Sequence, residues 1–308
     1  MINRELIRIK VVQLVYAYYM NGDKSIDVAE RELLTSLSKA YQLYNLLLDL
    51  IVAVTREERL RYELLSMRAE REGEGSVSSR FAFNRFAVQL EENEQLADYN
   101  DEKKLTWKDD IEFVRKICNL IEQSETYQEY INSEEDSYEA DREVWRKLYK
   151  QVIENNDDLA FLLEDKSIYW NDDKDIVDSF VIKTIKRFDS NKKSHQELLP
   201  EFKDDSDKEY AVQLFRGAIL NAEEYQKYME EYSRNWKLNR MPFMDIIIMQ
   251  TALAELLSFP AIPANVTINE YVELSKMYST PRSAGFINGI LDSLTRALIE
   301  NGKLMKQL

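Results

Sequence analysis

Two arginines open the chain one helical turn apart. Arg4 and Arg8 fall on one side of a helix that the apolar spacing predicts over residues 2–20, and Lys10 points roughly away from them. Cations at that spacing suit a phosphate backbone, and they equally suit the solvated side of a core helix. A second cationic stretch, Arg80-Phe-Ala-Phe-Asn-Arg-Phe86, sets two arginines among rings. Arginine beside exposed rings can stack nucleobases. Phenylalanine is mostly buried, however, so Phe81, Phe83 and Phe86 are expected to plug the core where the chain re-enters it after a loop at residues 72–79. Asp172, Asp173 and Asp175 concentrate enough carboxylate to interest a cation. The stretch lacks the glycine and the later bidentate glutamate of a calcium loop, and reads instead as a helix start. The single Cys118 and single His195 form no Cys/His metal cluster and no close nucleophile–base pair. His195 sits in a polar linker around Pro200 and is expected to be solvated. No glycine-rich nucleotide loop is present. The chemistry expected is therefore binding, with no catalytic residue, no metal and no cofactor.

Helices must position these groups. The 308 residues include only 7 Gly and 5 Pro, with no Pro before Pro200 and no Gly between Gly75 and Gly217. Strands and tight turns need more punctuation than that, so an all-α fold is expected. Asn3 can cap the first helix, and Asn21-Gly22-Asp23 can end it. Residues 26–72 read as a helix pair or one long helix, with Leu46–Val54 apolar on most sides and therefore crossing a core. Residues 91–204 alternate charges with large aromatics at helical spacing, too apolar to stay unfolded. Gly217 is expected to permit tight helix packing. Trp236–Met241 lead to Pro242 at the first turn of a helix over Met244–Leu257. In the closing stretch, Thr267 and Glu270 have the spacing of a capping box. Pro281 stops that helix, and another follows with Phe286, Ile287, Ile290, Leu291 and Leu294 inward. Gly285 and Gly289 lie four apart, the spacing of a close backbone approach.

The net charge of −15 is unevenly spread. Residues 1–90 hold 13 basic and 12 acidic groups, residues 91–204 hold 17 and 31, and residues 205–308 hold 11 and 13. The acidity is in the middle, and both ends can still offer basic surface to nucleic acid. No apolar run approaches the roughly 20 residues of a membrane span, and the first residues carry no apolar signal core. With one cysteine, a cytoplasmic location is expected, and no membrane partner.

The stretch Ile268-Asn-Glu-Tyr-Val-Glu-Leu-Ser-Lys-Met-Tyr-Ser-Thr-Pro-Arg-Ser-Ala-Gly-Phe-Ile-Asn-Gly-Ile-Leu-Asp292 resembles the C-terminal signature of the NusB antitermination family. Phe215-Arg-Gly-Ala-Ile-Leu-Asn221 and the Ala-x-x-Glu-Leu end of the helix before Phe259 are similar to other family segments, and Val12-Gln-Leu-Val-Tyr16 resembles the family's N-terminal motif. The likeness covers about the first 20 residues and residues 205–308. It implies an all-α multi-helix bundle of NusB type with an expanded N-terminal helical half. The expected organisation is 1–204, which carries the first helix and an insertion at 26–204, followed by a family-like bundle at 205–308. The insertion is expected to pack as an elaboration of the N-terminal half.

The resemblance also implies a function. Family members are non-enzymatic and bind boxA-type RNA with the ribosomal protein NusE in an antitermination complex on RNA polymerase. Carried onto this sequence, Arg4 and Arg8 fall on RNA-contacting arginines, with Lys10 and Gln13 on the same surface. The corner Tyr278–Ser283 would form the other wall, with Tyr278, Arg282 and Ser283 at a helix start suited to phosphate. Tyr16 and Asp245 fall on partner-contact positions. Glu5 and Leu6 stand where family arginines are common, and Arg282 stands where an acidic residue is common, so Arg282 is expected to restore part of the lost charge. Phe286, Asn288 and Gly289 are expected to be structural. The alternative is a helical adaptor of the transcription machinery without RNA binding of its own.

Overall fold

The computed structural model describes residues 1–22, 25–73, 75–232 and 241–306, whose regular secondary structure is helical apart from one isolated bridge between Ile2 and Phe202. The lead-in Trp236–Arg240 and the Asp23 of the first helix stop lie outside the described residues. The chain divides into two compact units. One is Met1 with Ser38–Glu201, and the other is Ile2–Leu37 with Phe202–Leu308. The first helix and the start of the second thus group with the C-terminal bundle, where the sequence reading had joined them to residues 38–204.

In the bundle unit, α1 (Arg4–Met20) starts at Asn3, whose Oδ1 accepts the Leu6 N–H at 2.9 Å. It is buried on nearly every side, including Leu6, Ile7, Ile9, Val11, Val12, Leu14 and Val15. A helix apolar all round belongs inside a core, not on a surface. Next comes α2 (Ile26–Glu72), a single 47-residue helix, of which residues 26–37 belong to this unit.

The acidic unit, with 24 basic and 37 acidic residues, holds the rest of α2. It continues with α3 (Arg85–Glu91), α4 (Glu94–Lys103), α5 (Ile111–Glu122), α6 (Glu125–Asn132), α7 (Tyr138–Leu148), α8 (Asp157–Lys166) and α9 (Lys174–Arg187). Side-chain caps supply the punctuation that proline and glycine do not. Asn84, Asn93, Ser124, Ser137 and Asn156 each accept the backbone N–H three residues on, at 2.9–3.2 Å. Phe81 stacks on Trp145 at 5.2 Å between centroids, and Phe86 is fully buried. Phe83 departs from expectation. It is 47% exposed, with the Arg59 guanidinium over its ring at 5.5 Å. Neither flanking arginine is available to a base. Arg80 donates to the Tyr130 and Ser133 carbonyls at the end of α6, and Arg85 pairs with Asp136 and Asp141 at 2.6 Å. Asp173 stands at the start of α9, and His195 is exposed with its Nδ1 3.2 Å from Glu94.

The bundle unit then closes with α10 (Asp205–Leu220), α11 (Ala222–Tyr232), α12 (Phe243–Ser258), α13 (Ala264–Tyr278) and α14 (Ser283–Glu300). Its centre is α12, which packs against α1, α10, α11, α13 and α14. A Cβ at Gly217 would meet Ala254 Cβ at 3.8 Å, so α10 lies close to α12 but leaves room for a methyl group. Gly285 and Gly289 overturn the close-approach expectation: both are exposed, with nothing within 4 Å of an added Cβ. Asn288, also exposed, makes no side-chain hydrogen bond among the described residues. The capping box is overturned as well. The helix begins at Ala264, and Thr267 and Glu270 lie within it. Both side chains are drawn into a tertiary polar network instead.

Candidate functional site

That network centres on Glu255, buried in the last turn of α12. Arg8 grips it with two bonds, Nε to Oε2 at 2.8 Å and Nη2 to Oε1 at 3.0 Å, and reaches Glu270 through Nη1 at 3.0 Å. Thr267 donates to Oε1 at 2.7 Å, Tyr210 donates to Oε2, and Tyr271 donates to the same oxygen at 3.3 Å. Burial alone would raise this carboxyl. The Arg8 bonds and charge, with the Tyr210 and Thr267 hydroxyls, outweigh that and hold it below the ordinary glutamate value. A carboxylate this deep persists only when its charge is paired and its oxygens are bonded, and both conditions are met here.

The expected RNA-contact set therefore separates by depth. Arg8 is 4% exposed and Lys10 2%, so both belong to the interior of the bundle unit and neither presents its charge to solvent. The physical reason is the all-round apolar character of α1, which leaves Arg4 and Glu5 at its start as its exposed charged groups. Arg4 lies 3.6 Å from Asp207, with its guanidinium over the Tyr210 ring at 5.0 Å.

The corner between α13 and α14 meets α1 directly, because Gln13 Nε2 donates to the Tyr278 hydroxyl at 3.2 Å. Arg282 is exposed and makes no ion pair among the described residues. Ser283 is buried, and its hydroxyl donates to Asp245 Oδ2 at 2.8 Å. Ser279 donates to the other Asp245 oxygen, and Thr280 and Ser283 bond at 2.8 Å. Asp245 is thus not an outward contact. It ties the corner to the first turn of α12 and sets a carboxylate beside the start of α14. Two helix starts with positive partial charge share that carboxylate, which lessens the attraction of this corner for a phosphate. Tyr16, half-buried, packs on Phe243 at 5.6 Å between centroids.

Sequence reasoning missed the Glu255 network. A signal was present, since a charged side chain buried within so apolar a helix as Phe243–Ser258 demands a buried partner. Its partners come from three separate helices: Arg8 from α1, Tyr210 from α10, and Thr267 and Tyr271 from α13.

Among known proteins, the profile of the NusB family matches residues 175–296. The transcription antitermination protein NusB of Thermoanaerobacter sp. (strain X514) is 39% identical over 121 residues, which are 38% of this chain and 86% of that protein. The chain belongs to the NusB family. The NusB of Salinibacter ruber (strain DSM 13855 / M31) is 35% identical over 108 residues, 35% of this chain and 68% of its own. A solved structure of T. maritima NusB shares 32% identity and covers 40% of this chain and 87% of that one, with a TM-score of 0.31. This NusB-family chain is longer than its relatives, consistent with an insertion. The matched span runs from α9 into α14 and includes Glu255, Asp245 and the 278–283 corner. The likeness of α1 to NusB rests on Arg4, Arg8 and the Val12–Tyr16 motif. No described helix is long and apolar enough to cross a membrane.

Proposed function

We propose that this NusB-family chain is a non-enzymatic RNA-binding antitermination factor. In this reading it binds boxA-type single-stranded RNA together with the ribosomal protein NusE, in an antitermination complex on RNA polymerase. The observation that carries it is the 39% identity across 86% of a protein named for transcription antitermination. Arg4, Gln13, Tyr278 and Arg282 form the RNA-facing set, combining charge, an amide and a ring as single-strand recognition requires. Arg8, Lys10 and Ser283 serve it from beneath by fixing α1 and the corner. Tyr16 contributes to the NusE-facing surface, and Asp245 acts on it by holding the corner in place.

The experiment is fluorescence anisotropy of labelled boxA-type RNA, with and without NusE, across a salt series. Each phosphate neutralised contributes a slope of about −0.7 in log K against log salt for a single strand, so two arginines give roughly −1.4. Arg282→Glu is expected to weaken binding at low salt and flatten that slope. Unchanged affinity would overturn the role of Arg282. The burial of Arg8 and Lys10 favours a second reading, a helical adaptor without RNA binding of its own. It expects no binding by the chain alone, and in the mixture only the affinity that NusE has by itself.

A further inference from the structure

The last third of α2, in the acidic unit, carries an apolar stripe facing solvent. Leu60 is 55% exposed, Leu64 69% and Met67 59%, on a segment otherwise dense with charge. The side of the helix that meets its own unit lies opposite, at Tyr62, Ser66 and Ala69. Steps of four, three and four residues from Leu60 through Leu64 and Met67 to Arg71 are the a/d spacing of a heptad, with Leu60 and Met67 at d and Leu64 and Arg71 at a. The stripe runs about 16 Å along the helix.

The flanks identify what would cover it. Arg61 and Arg68 occupy the e positions, and Glu63 and Glu70 the g positions. In a parallel pair of identical helices, g of one chain meets e of the next heptad on the other, which sets Glu63 against Arg68 twice by symmetry. In an antiparallel pair, e meets e and g meets g, which sets arginine against arginine and glutamate against glutamate. Glu63 and Glu70 make no ion pair among the described residues, and Arg68 holds only Glu72, across an exposed bond of 3.0 Å. Arg56, the g residue of the preceding heptad, would face Arg61 of the other copy. Each is neutralised within its own chain, Arg56 by Glu91, and Arg61 by Glu57, Glu58 and Glu122.

We propose that this stripe is a self-association surface: two copies of the chain pair in parallel through residues 60–71 of α2. The seam is short, and an interface of this size falls in the weak, transient class. The dimer is therefore concentration-dependent. Arg71 at the closing a position disfavours extending or slipping the seam.

Sedimentation equilibrium of the full chain from about 1 to 200 μM tests this, over a range suited to weak interfaces. The weight-average mass should rise from the 36.4 kDa of one chain towards twice that value. Leu64→Glu, on an exposed side chain, should hold it at one chain throughout. Glu63→Arg and Arg68→Glu should each weaken association, and the two together should restore it. Leu60→Cys should form an interchain disulfide under mild oxidation, because d faces d in the parallel register; the native Cys118 is buried. A wild-type chain that stays monomeric to 200 μM overturns the proposal. So does a dimer that Leu64→Glu leaves intact, and a double charge swap that restores nothing overturns the parallel register.

Discussion

Replacing Glu255 by glutamine keeps the side-chain shape and removes one charge at the centre of the bundle unit. The structure sets the size of the effect. Arg8 loses its bidentate partner while remaining 4% exposed, and keeps only Glu270, whose side chain is 36% exposed. One oxygen becomes an amide donor facing a ring of donors, namely Arg8, Tyr210, Thr267 and Tyr271. Breaking a buried pair from one side costs about 3–5 kcal/mol. An unfolding unit of roughly 140 residues has an entropy near 0.3 kcal/mol/K, so the midpoint should fall by about 10–17 °C. Circular dichroism melts of wild type, Glu255→Gln, Arg8→Met and the double variant form the assay. The double variant should be less destabilised than the sum of the singles by about 2 kcal/mol, because it leaves no lone charge. Additive singles, or a loss from Glu255→Gln under about 1 kcal/mol, would refute the claim that this pair holds α1 to α12. The pH dependence has a definite sign. The folded carboxyl lies below its ordinary value, so its contribution is fully present above about pH 4.5 and is lost as pH falls through the folded value.

The acidic unit should show the opposite trend. Burial, and then the nearby Glu122 charge, push the Glu58 carboxyl up to about 7, and burial pushes Asp49 to about 6. Raised carboxyls stabilise below the unfolded value and lose that contribution as pH rises through the folded one, so this unit should weaken between about pH 4.5 and 7 in urea titrations, and Glu58→Gln should flatten that dependence. Gly285→Ala and Gly289→Ala, each in a solvent-facing helix position with space for a methyl group, should each raise stability by about 0.5–1 kcal/mol in denaturant melts; a loss would show that some group does approach there. Asn84→Ala removes a cap on Ala87 together with bonds to the Asp141 carbonyl and the Tyr130 hydroxyl at a fully buried position, and should cost about 2–4 kcal/mol. Asn156→Ala removes a half-buried cap and should cost only about 1 kcal/mol in the same measurement.

Much of the fold was legible because its signals are local. Scarce glycine and proline excluded a sheet-rich chain, the cap at Asn3 formed as its residue type suggests, and the 26–72 pattern resolved as one helix. The misreadings share a cause. Thr267 and Glu270 have the spacing of a capping box, but Glu255, twelve residues upstream of Thr267, claims one and Arg8 the other. Gly285 and Gly289 have the spacing of a helix contact, but their side of α14 faces solvent. Arg8 reads as a surface cation beside Arg4 because both lie on one side of a helix, and local spacing does not say how deep that side lies. For the candidate site, the family motifs point to α1 and the 278–283 corner, and α1 does reach that corner through Gln13 and Tyr278. Which of their charges remain at the surface was beyond them.

The sequence by itself determined that this chain is helical, that its acidity is concentrated in the middle, and that its C-terminal part carries NusB-family motifs, because composition, charge and motif spacing are properties of neighbours along the chain. Only the tertiary structure decided that Arg8, Lys10, Ser283 and Asp245 turn inward while Arg4 and Arg282 remain outside. A side chain's exposure depends on which distant segments pack over it, and here those segments converge on the charge of Glu255 and the carboxylate of Asp245.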